Sequence, residues 1–114
     1  MQQVAVRDIA ALLDTWRGQG LRPALLDVRE AWEVATASLS LPGVETRCIP
    51  MQQVPARHAG ELDAAQPLLV LCHHGMRSLQ VAMYLDGQRY PHVYNIAGGI
   101  DAWSRVVDPT VPTY

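Results

Sequence analysis

Pro67-Leu68-Leu69-Val70-Leu71-Cys72-His73-His74-Gly75-Met76-Arg77-Ser78 changes character in its middle, from apolar to polar. The four consecutive aliphatics Leu68 to Leu71 follow a proline and read as a strand buried on both faces, as in a parallel sheet. Cys72 ends that strand. The next five residues should turn, and a helix should run from Ser78 to Leu85, stopped by Gly87. A strand covered on both faces requires helices above and below it, so the rest of the chain should alternate between the two kinds of element.

It does. A short strand near Gln3–Val4 precedes a helix from Arg7 to Trp16, whose Ile9, Leu12, Leu13 and Trp16 recur at helical spacing. Gly18 and Gly20 end it. Pro23 to Arg29 reads as a second buried strand, and Glu30 to Ala37 as a weak helix. Leu41-Pro42-Gly43 is a turn, and Thr46 to Ile49 a strand stopped by Pro50. Met51 to Ala65 should hold one or two short helices, broken near Pro55. His92 to Ile96 is a further strand, Gly98-Gly99 a turn, and Ile100 to Val106 a last helix before a tail that contains Pro109 and Pro112. The expectation is a single α/β domain over residues 1–114, an open, mostly parallel five-stranded sheet with helices on both faces.

Composition narrows the function classes. The chain has 114 residues, 49% of them hydrophobic and 18% charged, with a formal net charge of −2. That suits one globular core and offers no basic excess for nucleic acid or an anionic membrane. No apolar run approaches the length of a membrane span, and the N-terminus lacks the pattern of a secretory signal, so a cytoplasmic protein is expected. The two cysteines, Cys48 and Cys72, are 24 positions apart, which matches neither a Cys-x-x-Cys redox pair nor a four-ligand zinc site.

Cys72 is the candidate nucleophile. Ligands of open α/β sheets gather beyond the carboxyl ends of the strands. A tight strand-to-helix loop there aims several backbone N–H groups at one point, and the helix dipole adds to their field. Both favour an anion: a thiolate, a persulfide or an oxyanion. Gly75 lets the backbone turn and approach a ligand closely. Arg77 supplies either a fixed positive charge or a structural fork. His73 and His74 line the loop, but neighbours in sequence point apart and no third ligand lies nearby in the chain, so no metal and no other cofactor is expected. Cys48 reads as a packed thiol in a short strand, with a resolving role toward Cys72 as the alternative. Asp27, Arg29 and Glu30 should form a structural ion-pair cluster beside the loop, and Trp16 and Trp103 should belong to the core.

With these residues in place, the chain resembles the single-domain rhodanese-like sulfurtransferases over nearly its whole length. Leu25-Leu26-Asp27-Val28-Arg29-Glu30 is similar to that family's early Asp-Val-Arg segment. Val70 to Ser78 resembles its active-site loop, and Asn95 to Trp103 its Gly-Gly-x-x-x-Trp segment. The resemblance implies a ping-pong reaction in which the Cys72 thiolate takes a sulfane sulfur from a donor such as thiosulfate or another persulfide. An acceptor thiol or cyanide, or a sulfur-relay protein, then removes it. Catalysis would rest on Cys72, with His73, His74, Gly75, Met76, Arg77 and Ser78 around the transferred sulfur. One stretch departs from the pattern: where relatives carry Gly-His-Ile-x-Gly-Ala, this chain reads Ala35-Thr36-Ala37-Ser38-Leu39-Ser40-Leu41-Pro42-Gly43-Val44.

Two other readings compete. A phosphatase or arsenate reductase uses Cys-x5-Arg to enclose a tetrahedral oxyanion. Here four residues separate Cys72 from Arg77, and Ser78 stands where that arginine would be. A non-catalytic binding module is the other, and the intact Cys72 loop argues against it.

Overall fold

Side chains along the strand Leu68–Leu71 alternate between two separate cores, which makes this strand the hinge of the architecture. Leu69 and Leu71 join Ile9, Leu13, Trp16, Leu25, Ile96 and Ile100 on one face. Leu68, Val70 and Cys72 join Leu26, Val28, Val81, Leu85 and Val93 on the other. A period of two along a strand requires this split, and all four strand residues are buried.

The computed structural model describes residues 1–114. Its elements are β1 (Gln2–Ala5), a 3₁₀ turn at Val6–Asp8, α1 (Ile9–Gly18), β2 (Ala24–Asp27), α2 (Ala31–Thr36), β3 (Glu45–Cys48), a 3₁₀ turn at Met51–Gln53, α3 (Val54–Glu61), β4 (Leu68–Leu71), α4 (Met76–Gly87), β5 (Val93–Ala97) and α5 (Gly99–Val106). The strands form one sheet in the order β1-β5-β4-β2-β3, and every pairing is parallel. The fold is therefore the expected five-stranded α/β sheet. α1 and α5 cover one face, and α3 and α4 the other.

The chain leaves β4 toward β5 and leaves β2 toward β3, in opposite directions along the sheet. A crevice must open between the carboxyl ends of β2 and β4, where such folds place their sites. Both the Asp27-Val28-Arg29 corner and the Cys72 loop face that crevice.

Two features of the helices differ from the sequence reading. α4 begins at Met76, not Ser78, because Gly75 takes the left-handed conformation (φ 98°) and turns the chain into the helix two residues earlier. The loop is thus three residues long. Pro55 does not break a helix; it lies in the first turn of α3, where its missing N–H is not needed. The stretch that departs from the family pattern still packs, as Ala37, Leu39 and Leu41 alternate into the first core. No helix is long and apolar enough to cross a membrane.

Leu69 is fully buried at the centre of the sheet. Leu69→Ala should lower unfolding stability by about 2–5 kcal/mol, the range for an aliphatic truncation in a closed core. The shift in urea midpoint at unchanged slope measures it.

Candidate active site

Cys72 is the first residue after β4, and its side chain is on the α3/α4 face, 1% exposed. The first intrahelical bond of α4 runs from the Leu79 N–H to the Gly75 carbonyl. The N–H groups of Gly75, Met76, Arg77 and Ser78 therefore have no partner within the helix. The Gly75 N–H donates to Cys72 Sγ at 3.0 Å. The sulfur sits at the positive end of the helix with three more amides in the same turn, an arrangement that holds an anion.

The carbonyls of the loop point the other way, onto α5. Ile100 N–H donates to the Cys72 carbonyl (2.9 Å) and Asp101 N–H to the His73 carbonyl (3.1 Å). One helix start thus grips the loop from behind while another faces the sulfur. The approach is so close that a Cβ on Gly99 would lie 2.4 Å from the His73 oxygen and 2.5 Å from the Cys72 oxygen. A Cβ on Gly75 would lie 2.9 Å from the Gly98 nitrogen.

A polar chain runs beneath the sulfur. Asn95 Nδ2 donates to Gln3 Oε1 (2.7 Å) and to the Gly75 carbonyl (3.2 Å). Its Oδ1 must then accept, and Ser78 Oγ donates to it at 2.5 Å. Ser78 Oγ is also 3.2 Å from Cys72 Sγ. It can accept the S–H of a thiol or turn its own proton to a thiolate. Asn95 was missed as a site residue in the sequence. The signal in the sequence is a lone amide between Tyr94 and Ile96 in a stretch that reads as a strand, a group that needs partners once it is buried.

Two ion pairs form the next layer. Arg77 Nη1 and Nη2 each donate to Glu33 at 2.8 Å. Arg29 Nε and Nη2 donate to Asp27 at 2.9 and 2.8 Å. Arg77 is thus the structural fork. The expected Asp27–Arg29 pair is present, but Glu30 is not part of it. Glu30 instead caps α2 reciprocally with Glu33, whose Oε2 accepts the Glu30 N–H at 2.9 Å. Tyr114 joins the two pairs, its hydroxyl accepting from Arg29 Nη1 and donating to Glu33 Oε1, both at 3.0 Å. The tail therefore packs on the body, with Val111 in the core. Hydrogen bonds from Arg77 hold the Glu33 carboxyl down at about 2, against the opposing pull of burial. Arg29 remains charged although burial opposes it, because Asp27 and Tyr114 bond it.

His73 is sandwiched between Tyr114 (centroids 3.9 Å apart, planes 6° apart) and His74 (3.9 Å, 29°). Its buried Nε2 has no hydrogen-bond partner. Burial and then the neighbouring His74 push its pKa down. His74 and Met76 are exposed beside the loop. Tertiary structure does supply a third potential ligand: donor atoms of His73, His74 and Asp101 lie within 4.8 Å of one another. Asp101, however, is already paired with Arg105 at 2.9 Å.

Cys48 is not a packed thiol. It is exposed at the end of β3, an edge strand that is exposed throughout. Cys48 pairs with Asp27 and Asp27 with Leu71, so two strand spacings, roughly 10 Å, separate the backbones of the two cysteines. That exceeds the reach of a disulfide. Trp16 is in the core and Trp103 packs at its margin. A polar cleft of about 400 Å³, lined by residues such as Arg22, Glu45, Arg47 and Asp63, lies at the amino ends of the strands, away from Cys72.

Comparison with known proteins agrees with the fold. Residues 7–106 match the family model described as Rhodanese-like domain. The chain is 43% identical over 93 residues to the rhodanese-like/PpiC domain-containing protein 12 of Arabidopsis thaliana, a match covering 79% of this chain and 30% of that protein. It is 36% identical over 58 residues to the thiosulfate sulfurtransferase GlpE of Actinobacillus pleuropneumoniae, covering 51% of this chain and 54% of that one. The matched part is thus about a third to a half of these relatives' length. A rhodanese-related protein from Thermoplasma volcanium superposes with a TM-score of 0.74 at 22% identity, each chain covered completely. At that identity the likeness speaks for the fold alone.

Two outcomes follow from the contacts. Gly99→Ala should cost more than the roughly 1–2 kcal/mol that a left-handed residue with a Cβ pays, because two loop carbonyls must also move. A thermal melt measures this. The Glu33 carboxyl is held below its usual 4.5, so its pairing stabilises the fold above that pH and is lost as pH falls toward about 2. Glu33→Gln should flatten the pH dependence of the urea midpoint across that window.

Proposed function

Since this chain belongs to the rhodanese-like domain family, we propose that it is a sulfurtransferase in which Cys72 carries the sulfur as a persulfide. The observation that supports this most directly is the 3.0 Å contact between the Gly75 N–H and Cys72 Sγ at the start of α4. With Met76, Arg77 and Ser78 it offers four amides to a small anion. The cup is built from a three-residue loop and suits one additional sulfur atom. An enclosed phosphate would need an arginine turned into the loop, whereas Arg77 is committed to Glu33.

The reaction has two displacement steps. The Cys72 thiolate attacks the outer sulfur of the donor, and the donor's S–S bond breaks with its electron pair leaving on the departing group. With thiosulfate that group is sulfite, and Cys72 becomes Cys72–S–S⁻. In the second step an acceptor thiolate or cyanide attacks the outer sulfur and restores the Cys72 thiolate. The free amides of α4 hold the negative outer sulfur between the steps, and Ser78 can bond either sulfur state of Cys72. Relatives in the family include the thiosulfate sulfurtransferase GlpE, which supports this chemistry at family level.

Mass spectrometry of the intact protein after treatment with a sulfane-sulfur donor tests the reading. The expected result is a gain of one sulfur atom on Cys72, removed by cyanide with formation of thiocyanate. Cys72→Ser should lose both the adduct and all transfer while keeping its melting behaviour. A wild-type chain that never acquires sulfur on Cys72 would point to a binding module instead.

A further inference from the structure

The arginine in the first turn of α4 is committed to a carboxylate, and this bears on which donor can use the site. The chain has nine basic residues, all arginines, and no lysine. Two of them lie against the Cys72 crevice. Arg29 is 1% exposed and paired with Asp27 through two bonds. Arg77 is held by both oxygens of Glu33. Arg105, on α5, is paired with Asp101. His73 is kept toward its neutral form by burial and by His74.

The Glu33–Arg77 pair is not a loose surface contact. Glu33 is 4% exposed. Its two oxygens accept from Arg77 twice, from the Glu30 N–H and from the Tyr114 hydroxyl. Four donors fill its acceptor sites, so a ligand cannot draw Arg77 away without leaving a buried carboxylate short of partners. The amides of α4 remain. They can stabilise one negative sulfur but provide no full charge for a second anionic centre. Around them the exposed flank carries Trp32 and Met76 beside the imidazole of His74. Trp32 is 63% exposed and packs edge-on against Tyr114, and Met76 is 67% exposed at the start of α4.

We propose that Glu33 sets the charge preference of the site: by holding Arg77 it favours an alkyl persulfide of low net charge over dianionic thiosulfate as the sulfur donor to Cys72. This rests on the sulfurtransferase reading. The step is balanced without any further reactant. The Cys72 thiolate attacks the terminal sulfur of R–S–SH, a new S–S bond forms, and the donor S–S bond breaks. The electron pair leaves on R–S⁻, the proton stays on the transferred sulfur, and no net oxidation occurs. Glu33 acts through Arg77 and is a positioning residue.

The test compares rates of sulfur loading on Cys72, followed by mass spectrometry, with thiosulfate and with 2-hydroxyethyl persulfide generated in place. Each rate is divided by that of a small free thiol with the same donor, to remove intrinsic reactivity. The persulfide should lead by about tenfold or more, the equivalent of roughly 1.4 kcal/mol. Glu33→Gln frees Arg77 and should move the ratio toward thiosulfate by about tenfold, a gain that mere loss of structure cannot produce. The wild-type thiosulfate rate should depend only weakly on ionic strength, a measurement that needs no variant. A normalised rate favouring thiosulfate, a steep fall of that rate with salt, or an unchanged ratio in a folded Glu33→Gln variant would each overturn the proposal. Failure of both donors to load Cys72 would instead remove the sulfurtransferase reading on which it stands.

Discussion

The first turn of α4 begins with amides that have no carbonyl to bond, and the architecture around Cys72 follows from that. An unpaired N–H is costly when buried and useful when aimed at an anion. Here one of the four already meets Cys72 Sγ. For the sulfur to stay in line, the loop of residues 73–75 must be short, and its carbonyls must be satisfied elsewhere. α5 does this through the N–H groups of Ile100 and Asp101. Gly99 is small because two loop carbonyls occupy the space a side chain would need. The Gly-Gly pair is thus part of what shapes the Cys72 loop, although it touches no sulfur.

Around this centre the charged residues act as scaffold. Asp27–Arg29 and Glu33–Arg77 are bidentate pairs joined by the Tyr114 hydroxyl, and they tie β2, α2, α4 and the tail into one assembly. Buried pairs of this kind contribute less net stability than their short distances suggest, since each ion has lost its water. They do fix geometry and consume charge. The crevice is left with amide dipoles, a polar Ser78–Asn95 chain and a flank that carries Trp32, Met76 and His74.

Much of this was legible in the amino-acid order. The run Leu68 to Leu71 required a strand with two covered faces, and the two cores separate along its alternation. The helical spacing of Ile9, Leu13 and Trp16 required α1 to cover one of them. Cys72, Gly75 and Ser78 stand out as candidates because a polar, glycine-containing loop follows a buried strand directly. The start of α4 was less legible. Sequence periodicity registers a helix only once its buried face repeats, whereas Gly75 starts the helix through a backbone angle.

What the sequence by itself determined is the order of elements, the parallel sheet and the place of Cys72 at the end of its most buried strand, since these depend on local hydrophobic period and on residues adjacent in the chain. Tertiary structure alone decided the partners. Glu33, Asn95 and Tyr114 reach the site from 39, 23 and 42 positions away from Cys72, and no periodicity signals such meetings. It also decided that Arg77 is a fork and not a free cation, and that Cys48 is exposed and beyond the reach of Cys72. The physical reason is the same in each case. Hydrophobic patterning specifies which face is buried, but the pairing of charges and hydrogen bonds depends on which strand ends the topology brings together.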